Sequence, residues 1–314
     1  MEKSESFNPF VLYSQPLNTL LQTAGTNNNP ALYLYENGAR NIVFMLEGLT
    51  RLHKNAFDIP KMKKWYERFK EIEDMLGQID YLSAFIKQFE ADKTLDAAAI
   101  ATMKKKLSKA MQLCNDVLRD KGWFDNKLLK FDRFIEETNF SYDIKYEKKI
   151  CKAYKAEIDG IVEMMTEIKC KITALETQLH ELRRKMRWLS IYPQAFNGLF
   201  QFKKSETPPQ WAEKYMIPSI VNSPFNKLPA LTANVSVIEL NYEAFIALSF
   251  MIKEFGTLKD KGLQIFVLQD ALKMPLTQIK TVLGEKYTSE DTILTTASQL
   301  LKTFFEEKVL EKLI

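Results

Sequence analysis

Four basic side chains near the end of one predicted helix are of the types that bind phosphate. They are His180, Arg183, Arg184 and Arg187, and Lys185 lies among them. Their spacing of three and four residues places the four on one side of an α-helix. A guanidinium donates paired hydrogen bonds to phosphate oxygens, and clustered cations produce a strong local field. The stripe therefore predicts a binding site for a phosphate-rich anion.

The same stripe also has a purely structural explanation. Cations are favoured near a helix C-terminus because they offset the helix dipole, and a long helix needs a solvated polar face. On the binding hypothesis, four lysines earlier on the same predicted helix would extend the stripe into a track for a linear polyanion: Lys148, Lys149, Lys152 and Lys155. Binding along such a track would weaken steeply with salt, since it releases counterions.

The stripe lies on a long predicted helix that runs from near Ser141 to Pro193. Between Cys151 and Leu189, apolar residues recur in alternating steps of three and four, which is typical of a helix packed along a partner helix. A helix of ~50 residues would be about 75 Å long. Pro193 predicts a sharp end because proline cannot continue the helical hydrogen bonding.

The rest of the sequence predicts an all-α fold. Residues 1–28 are expected to form an irregular arm, and a Pro-rich insertion is expected at about 203–234. Residues 235–238 could be extended or could begin a helix. Asn29, Asp96 and Ser289 are expected to cap helices. Helices are predicted at about 30–54, 61–90, 97–121, 123–138, 239–256, 258–273, 276–284 and 289–314.

Composition restricts the class of protein. Of 314 residues, 46% are hydrophobic and 27% are charged, and the net charge of +4 permits a polyanionic partner without requiring one. The three cysteines lack metal-ligand spacing and are expected to be free thiols in a reducing compartment. Neither a signal-peptide core nor an apolar run of ~20 residues is present. These features predict a cytoplasmic protein that does not bind membranes.

Catalytic motifs are absent from the sequence. His53 and His180 are its two histidines, and neither has a nucleophile or a second metal ligand at a recognisable spacing. His53, beside Arg51 and Lys54 near a predicted helix end, is expected to interact with the helix dipole. Basic and aromatic residues do not alternate along one face as in nucleic-acid binding. The sequence predicts a non-enzymatic binding module with no metal, no cofactor and no specific nucleic-acid partner.

Two short echoes predict an internal duplication. Asn37–Arg40 in the first half corresponds to His180–Arg183 in the second, and Leu76-Gly77 corresponds to Phe255-Gly256. In both halves, a helix that carries an arginine precedes an apolar residue followed by glycine. On these residues the chain resembles the CHAD (conserved histidine α-helical domain) family, in which a His-x-x-Arg helix precedes a Leu-Gly step in each half.

The resemblance extends over most of 29–314. It implies two pseudo-repeated antiparallel helical bundles, at 29–140 and 141–314, that share the long central helix. It also implies a basic surface for inorganic polyphosphate, to which Arg40 from the first half would contribute beside the stripe. Asn37 departs from the pattern because it occupies the position of the first-half histidine, so the first half of that surface is expected to be weakened.

A second hypothesis places the protein in a different class. The apolar seam at 151–189 could dock a partner protein or a second copy of the chain, as in a helical scaffold. Such a protein would need no polyanion, and it would tolerate loss of the basic stripe.

Overall fold

The computed structural model describes residues 8–93, 95–140, 142–230 and 237–314, most of which are helical. The all-α prediction is confirmed. The helices are α1 (Pro9–Gly25), α2 (Pro30–Glu36), α3 (Ala39–Phe57), α4 (Pro60–Asp92), α5 (Ala97–Asp120), α6 (Lys127–Thr138), α7 (Ile144–Glu167), α8 (Glu181–Ala195), α9 (Pro218–Val221), α10 (Tyr242–Leu272), α11 (Leu276–Leu283) and α12 (Glu290–Glu306).

The three predicted caps are confirmed. Asn29, Asp96 and Ser289 each accept a hydrogen bond from a backbone N–H in the first turn of the helix that follows. A cap of this kind satisfies donors that the helix cannot satisfy itself, and it contributes ~1 kcal/mol. The helix expected at 30–54 divides into α2 and α3, because Gly38 between them adopts the left-handed conformation with φ of 73°.

The expectation of an irregular arm at 1–28 is wrong for residues 9–25, which form α1. Asn8 caps this helix, and Pro9 occupies its first turn, where proline needs no donor. Helical spacing brings Phe10, Leu17 and Leu21 onto one buried face. The start of the predicted arm, residues 1–7, lies outside the described residues.

The long central helix predicted from Ser141 to Pro193 is also wrong. α7 ends at Glu167, and a non-helical connection with left-handed Lys169 and Cys170 leads to a π-helical turn, Leu175–His180, and then to α8. α7 and α8 form an antiparallel hairpin. The apolar steps of three and four continue through this reversal, because the connection also buries apolar residues, such as Ile172, in the same core.

Pro193 does not end α8, which continues to Ala195. In a regular helix the N–H of residue 193 would donate to the carbonyl of Leu189, and proline has no such donor. The hydroxyl of Tyr154 on α7 donates to this carbonyl instead, at 2.9 Å, and both residues are fully buried. The hydrogen bond replaces the missing helical one and joins the two arms of the hairpin.

The predicted Pro-rich insertion is mainly irregular, with short helical turns at Gln210–Tyr215, α9 and Pro224–Asn226. Two short parallel strands flank it: β1 (Phe200–Lys203) and β2 (Ile238–Asn241). Within the segment 235–238, Ile238 is therefore extended. Residues 231–236 lie outside the described residues.

One main core includes buried residues from Phe10 to Leu313, and a smaller one lies between α4, α5, α10 and α11. α3, from the first predicted half, packs against α7 and α8, from the second. The division into two pseudo-repeated bundles stays a prediction. Among the described residues, no helix combines the length and apolar content needed to cross a membrane.

Replacing Tyr154 by Phe should destabilise the protein by about 1–3 kcal/mol, because the buried Leu189 carbonyl loses its donor while the ring still packs. In a Pro193→Ala background the helix supplies its own N–H, so the same replacement should cost clearly less. Denaturant unfolding of the four proteins measures both costs. Equal costs in the two backgrounds would show that the hydroxyl does not replace the helical donor.

Candidate anion-binding site

Three arginines from two helices form a cluster: Arg40 at the start of α3, and Arg183 and Arg187 one turn apart on α8. Here they are called the arginine cluster. Burial, together with the positive charges of Arg183 and Arg40, lowers the pKa of Arg187 to about 10. Arg187 is therefore close enough to the other two guanidinium groups for their charges to act on it.

Arg40 is held mainly by acidic side chains of α4. Its Nε donates to Glu73 at 3.0 Å, and its terminal nitrogens form ion pairs with Glu73 at 2.9 Å and Asp80 at 2.5 Å. The guanidinium lies flat against the backbone of α4 at Gly77, where an added Cβ would be 3.1 Å from it. A side chain at position 77 would displace Arg40.

Arg183 makes a similar contact in the other predicted half. Its guanidinium lies against α10 at Gly256, where an added Cβ would be 3.0 Å from Nε. The same Nε donates to the Ile252 carbonyl at 3.1 Å. Burial lowers the pKa of Arg183, and the nearby charge of Asp260 opposes this effect. The two sequence echoes thus correspond to two arginine–glycine contacts, although duplication of the whole fold stays a prediction.

Arg187 differs from the other two because its guanidinium makes no hydrogen bond or ion pair with any described residue, whereas Arg40 pairs with acids and Arg183 donates to a backbone carbonyl. It lies over the ring of Phe44 at 4.5 Å, and that ring stacks on Trp188 with centroids 4.6 Å apart. A ring face attracts a cation but accepts few of its hydrogen bonds. The N–H groups of Arg187 therefore remain able to bind an anion.

The structure does not bring all of the predicted stripe together. His180 lies 3.1 Å from Glu176 in the π-helical turn, and Arg184 forms an ion pair of 2.8 Å with Glu181. Lys185 lies beside a cavity between α3, α7 and α8, outside the arginine cluster. A single continuous stripe is thus wrong: the change of helix type and the nearby acids separate its members.

The predicted lysine track is also wrong. Lys148, Lys149, Lys152 and Lys155 lie on α7, which reverses direction before α8, so they do not continue the stripe along one helix. The ammonium group of Lys149 lies 5.0 Å from the centre of the Phe57 ring.

Sequence reasoning missed the acidic residues that surround the arginine cluster. Glu73, Asp80 and Asp260 contribute three negative charges against three positive ones. Arg40 is paired with acidic residues, whereas Arg183 and Arg187 have no direct acidic partner in the part of the chain that the structure describes, which leaves two guanidinium groups able to bind an anion.

Glu47 was also missed. It lies on α3 with 3% of its surface exposed, and one of its carboxylate oxygens has no hydrogen-bond partner among the described residues. Burial, together with the nearby charge of Glu73, raises its pKa to about 8. Glu47 is thus mainly protonated at neutral pH.

The expected dipole role of His53 is wrong, because the side chain is fully buried and neutral. Nδ1 donates to the Leu49 carbonyl at 2.6 Å, which leaves Nε2 to accept from the Tyr146 hydroxyl at 2.8 Å. The ring stacks on Phe196 with centroids 5.2 Å apart. Burial lowers the pKa of His53 to about 3. His53 is a structural residue of the core.

No family model, curated protein or solved structure matches the chain. The resemblance to the CHAD family therefore depends on the short motifs alone.

Glu47→Gln should remove a pH-dependent loss of folding stability that Glu47 causes in the wild type. Because the folded-state pKa of Glu47 is near 8 and its ordinary value is 4.5, the folded state retains a proton that the unfolded state has lost. Stability from this group therefore falls as pH rises from about 5 to 8. The free energy of unfolding of the variant, relative to that of the wild type, should therefore be about 2 kcal/mol higher at pH 9 than at pH 6. Denaturant unfolding at both pH values measures this, and a constant difference would contradict it.

Proposed function

We propose that the protein is a non-enzymatic binding module for a phosphate-rich anion, and that the arginine cluster is its binding site. The observation that carries this proposal is Arg187, a half-buried guanidinium beside two like charges and without a direct acidic partner. An anion would offset the repulsion within the cluster and accept the unused N–H groups.

The resemblance to the CHAD family favours inorganic polyphosphate as the ligand. One phosphoryl group of the chain would bind Arg187, with Arg183 and Arg40 beside it. His180 and Arg184 are secondary contacts, since each would first have to leave an acidic neighbour on its own helix. Glu73 and Asp80 compete with the ligand for Arg40, so this first-half contribution is weak.

The alternative of a helical scaffold required the seam at 151–189 to be available to a partner. Most of the seam is buried inside the chain's own core, including Leu175, Leu182 and Leu189. The hairpin of α7 and α8 thus supplies the partner helix that the periodicity indicated, and the seam does not favour a second protein.

Arg187→Ala should weaken polyphosphate binding about tenfold, since one charged contact is lost. For the same reason, the slope of log affinity against log salt concentration should become less steep by about one unit. Arg133→Ala is a matched control, because it removes the same charge from an exposed position on α6, outside the proposed site. Titration of both variants and the wild type at two ionic strengths measures the effect. Equal losses in the two variants would indicate non-specific attraction, and no binding at low salt would reject the proposal.

Three glycine replacements test whether the positions of Arg40 and Arg183 matter. Gly77→Ala and Gly256→Ala should shift the guanidinium that lies against each glycine by a few tenths of an ångström, and both should weaken polyphosphate binding. Gly160→Ala is the control, because an added Cβ there meets nothing within 4 Å. Circular dichroism should show all three folded. Unchanged affinity in the first two variants would remove Arg40 and Arg183 from the site.

A further inference from the structure

A second cavity lies between α3, α7 and α8, away from the arginine cluster. Its volume is about 240 Å³, and its polar lining comes from Arg51 and Asn55 on α3, Glu157 on α7 and Lys185 on α8. It is too small for a drug-sized ligand but has room for an ion or a short organic acid.

The charges of this cavity do not balance. Arg51 donates to one oxygen of Glu157 at 2.9 Å, and the Asn55 amide donates to the other at 3.1 Å. This carboxylate is therefore occupied by groups of the protein itself. Lys185 makes no hydrogen bond or ion pair with any described residue, which leaves one positive charge without a partner.

Arg51 adds a second positive charge to the lining, and the carboxylate of Glu157 offsets one of the two. An anionic oxygen placed in the cavity would neutralise the remaining charge and accept a hydrogen bond from Lys185.

The wall formed by α7 consists of small residues. Ala153, Ala156 and Gly160 follow one another at helical spacing along the cavity. Glycine within a helix is ~1 kcal/mol less favourable than alanine. At Gly160 neither a close contact nor a positive φ requires glycine, because an added Cβ would meet nothing within 4 Å. The small side chains leave open space opposite the unpaired lysine.

We propose that this cavity binds a small oxyanion, a phosphate or a carboxylate, through Lys185 and Arg51. The proposal is independent of the arginine cluster, since Lys185 and Arg187 project from different sides of α8. It also gives Lys185 a role separate from the basic stripe in which the sequence placed it.

The test is titration of the full-length protein with inorganic phosphate and, separately, with acetate. Ionic strength is kept constant with sodium chloride, and backbone amide shifts are followed by NMR. Saturable shifts are expected at α7 residues beside the cavity for at least one of the two anions. Lys185→Met, which retains the apolar stem, and Gly160→Leu, which fills the open space, should each weaken this binding at least tenfold.

Two controls keep the proposal falsifiable. Gly160→Ala leaves most of the space open, and Arg187→Ala alters only the other site, so both should bind like the wild type. Absence of saturable shifts with both anions would overturn the proposal. Binding that is lost in Arg187→Ala and kept in Lys185→Met would also overturn it, since the anion would then occupy the arginine cluster.

Discussion

Both candidate sites depend on the close approach of α3 to α8 at Gly48. A side chain at this position would come within 3.3 Å of Ile191 and 3.4 Å of Trp188, so only glycine lets the two backbones pack without displacing their neighbours. Arg187 on α8 lies near Arg40 on α3. Lys185 on α8 and Arg51 on α3 line the second cavity. Since interiors are close-packed, a shift of either helix would alter both sets of contacts together.

Local features of the fold could be predicted from the sequence, whereas a chain reversal could not. The caps at Asp96 and Ser289 were predictable because the side chain and the backbone group it binds are three residues apart. The turn between α7 and α8 was not, because apolar steps of three and four continue through it. Periodicity reports that a residue is buried, but it does not report the direction of the chain around that residue.

The same limit applies to the candidate site. Arginine chemistry and the two Gly steps identified Arg40, Arg183 and Arg187 from residue type and spacing. Their acidic neighbours were not identifiable, because Glu73 belongs to α4 and Asp260 to α10, and only the packing of helices makes them neighbours. Glu47 and His53 show the same limit in the core. The sequence indicated no role for Glu47 and a dipole role for His53, but tertiary packing buries both side chains.

The wide sequence span of the main core has a consequence for protein synthesis. Phe10 and Leu313 belong to the same cluster, and the N–H of Asn241 at the end of β2 donates to the Leu313 carbonyl. At about 5–20 residues per second, the ribosome needs roughly 15 s to 1 min to supply Leu313 after Phe10. During that interval the apolar faces of the earlier helices have only part of their final cover. Chaperones that bind exposed apolar surface can therefore act on the nascent chain until Leu313 has been synthesised.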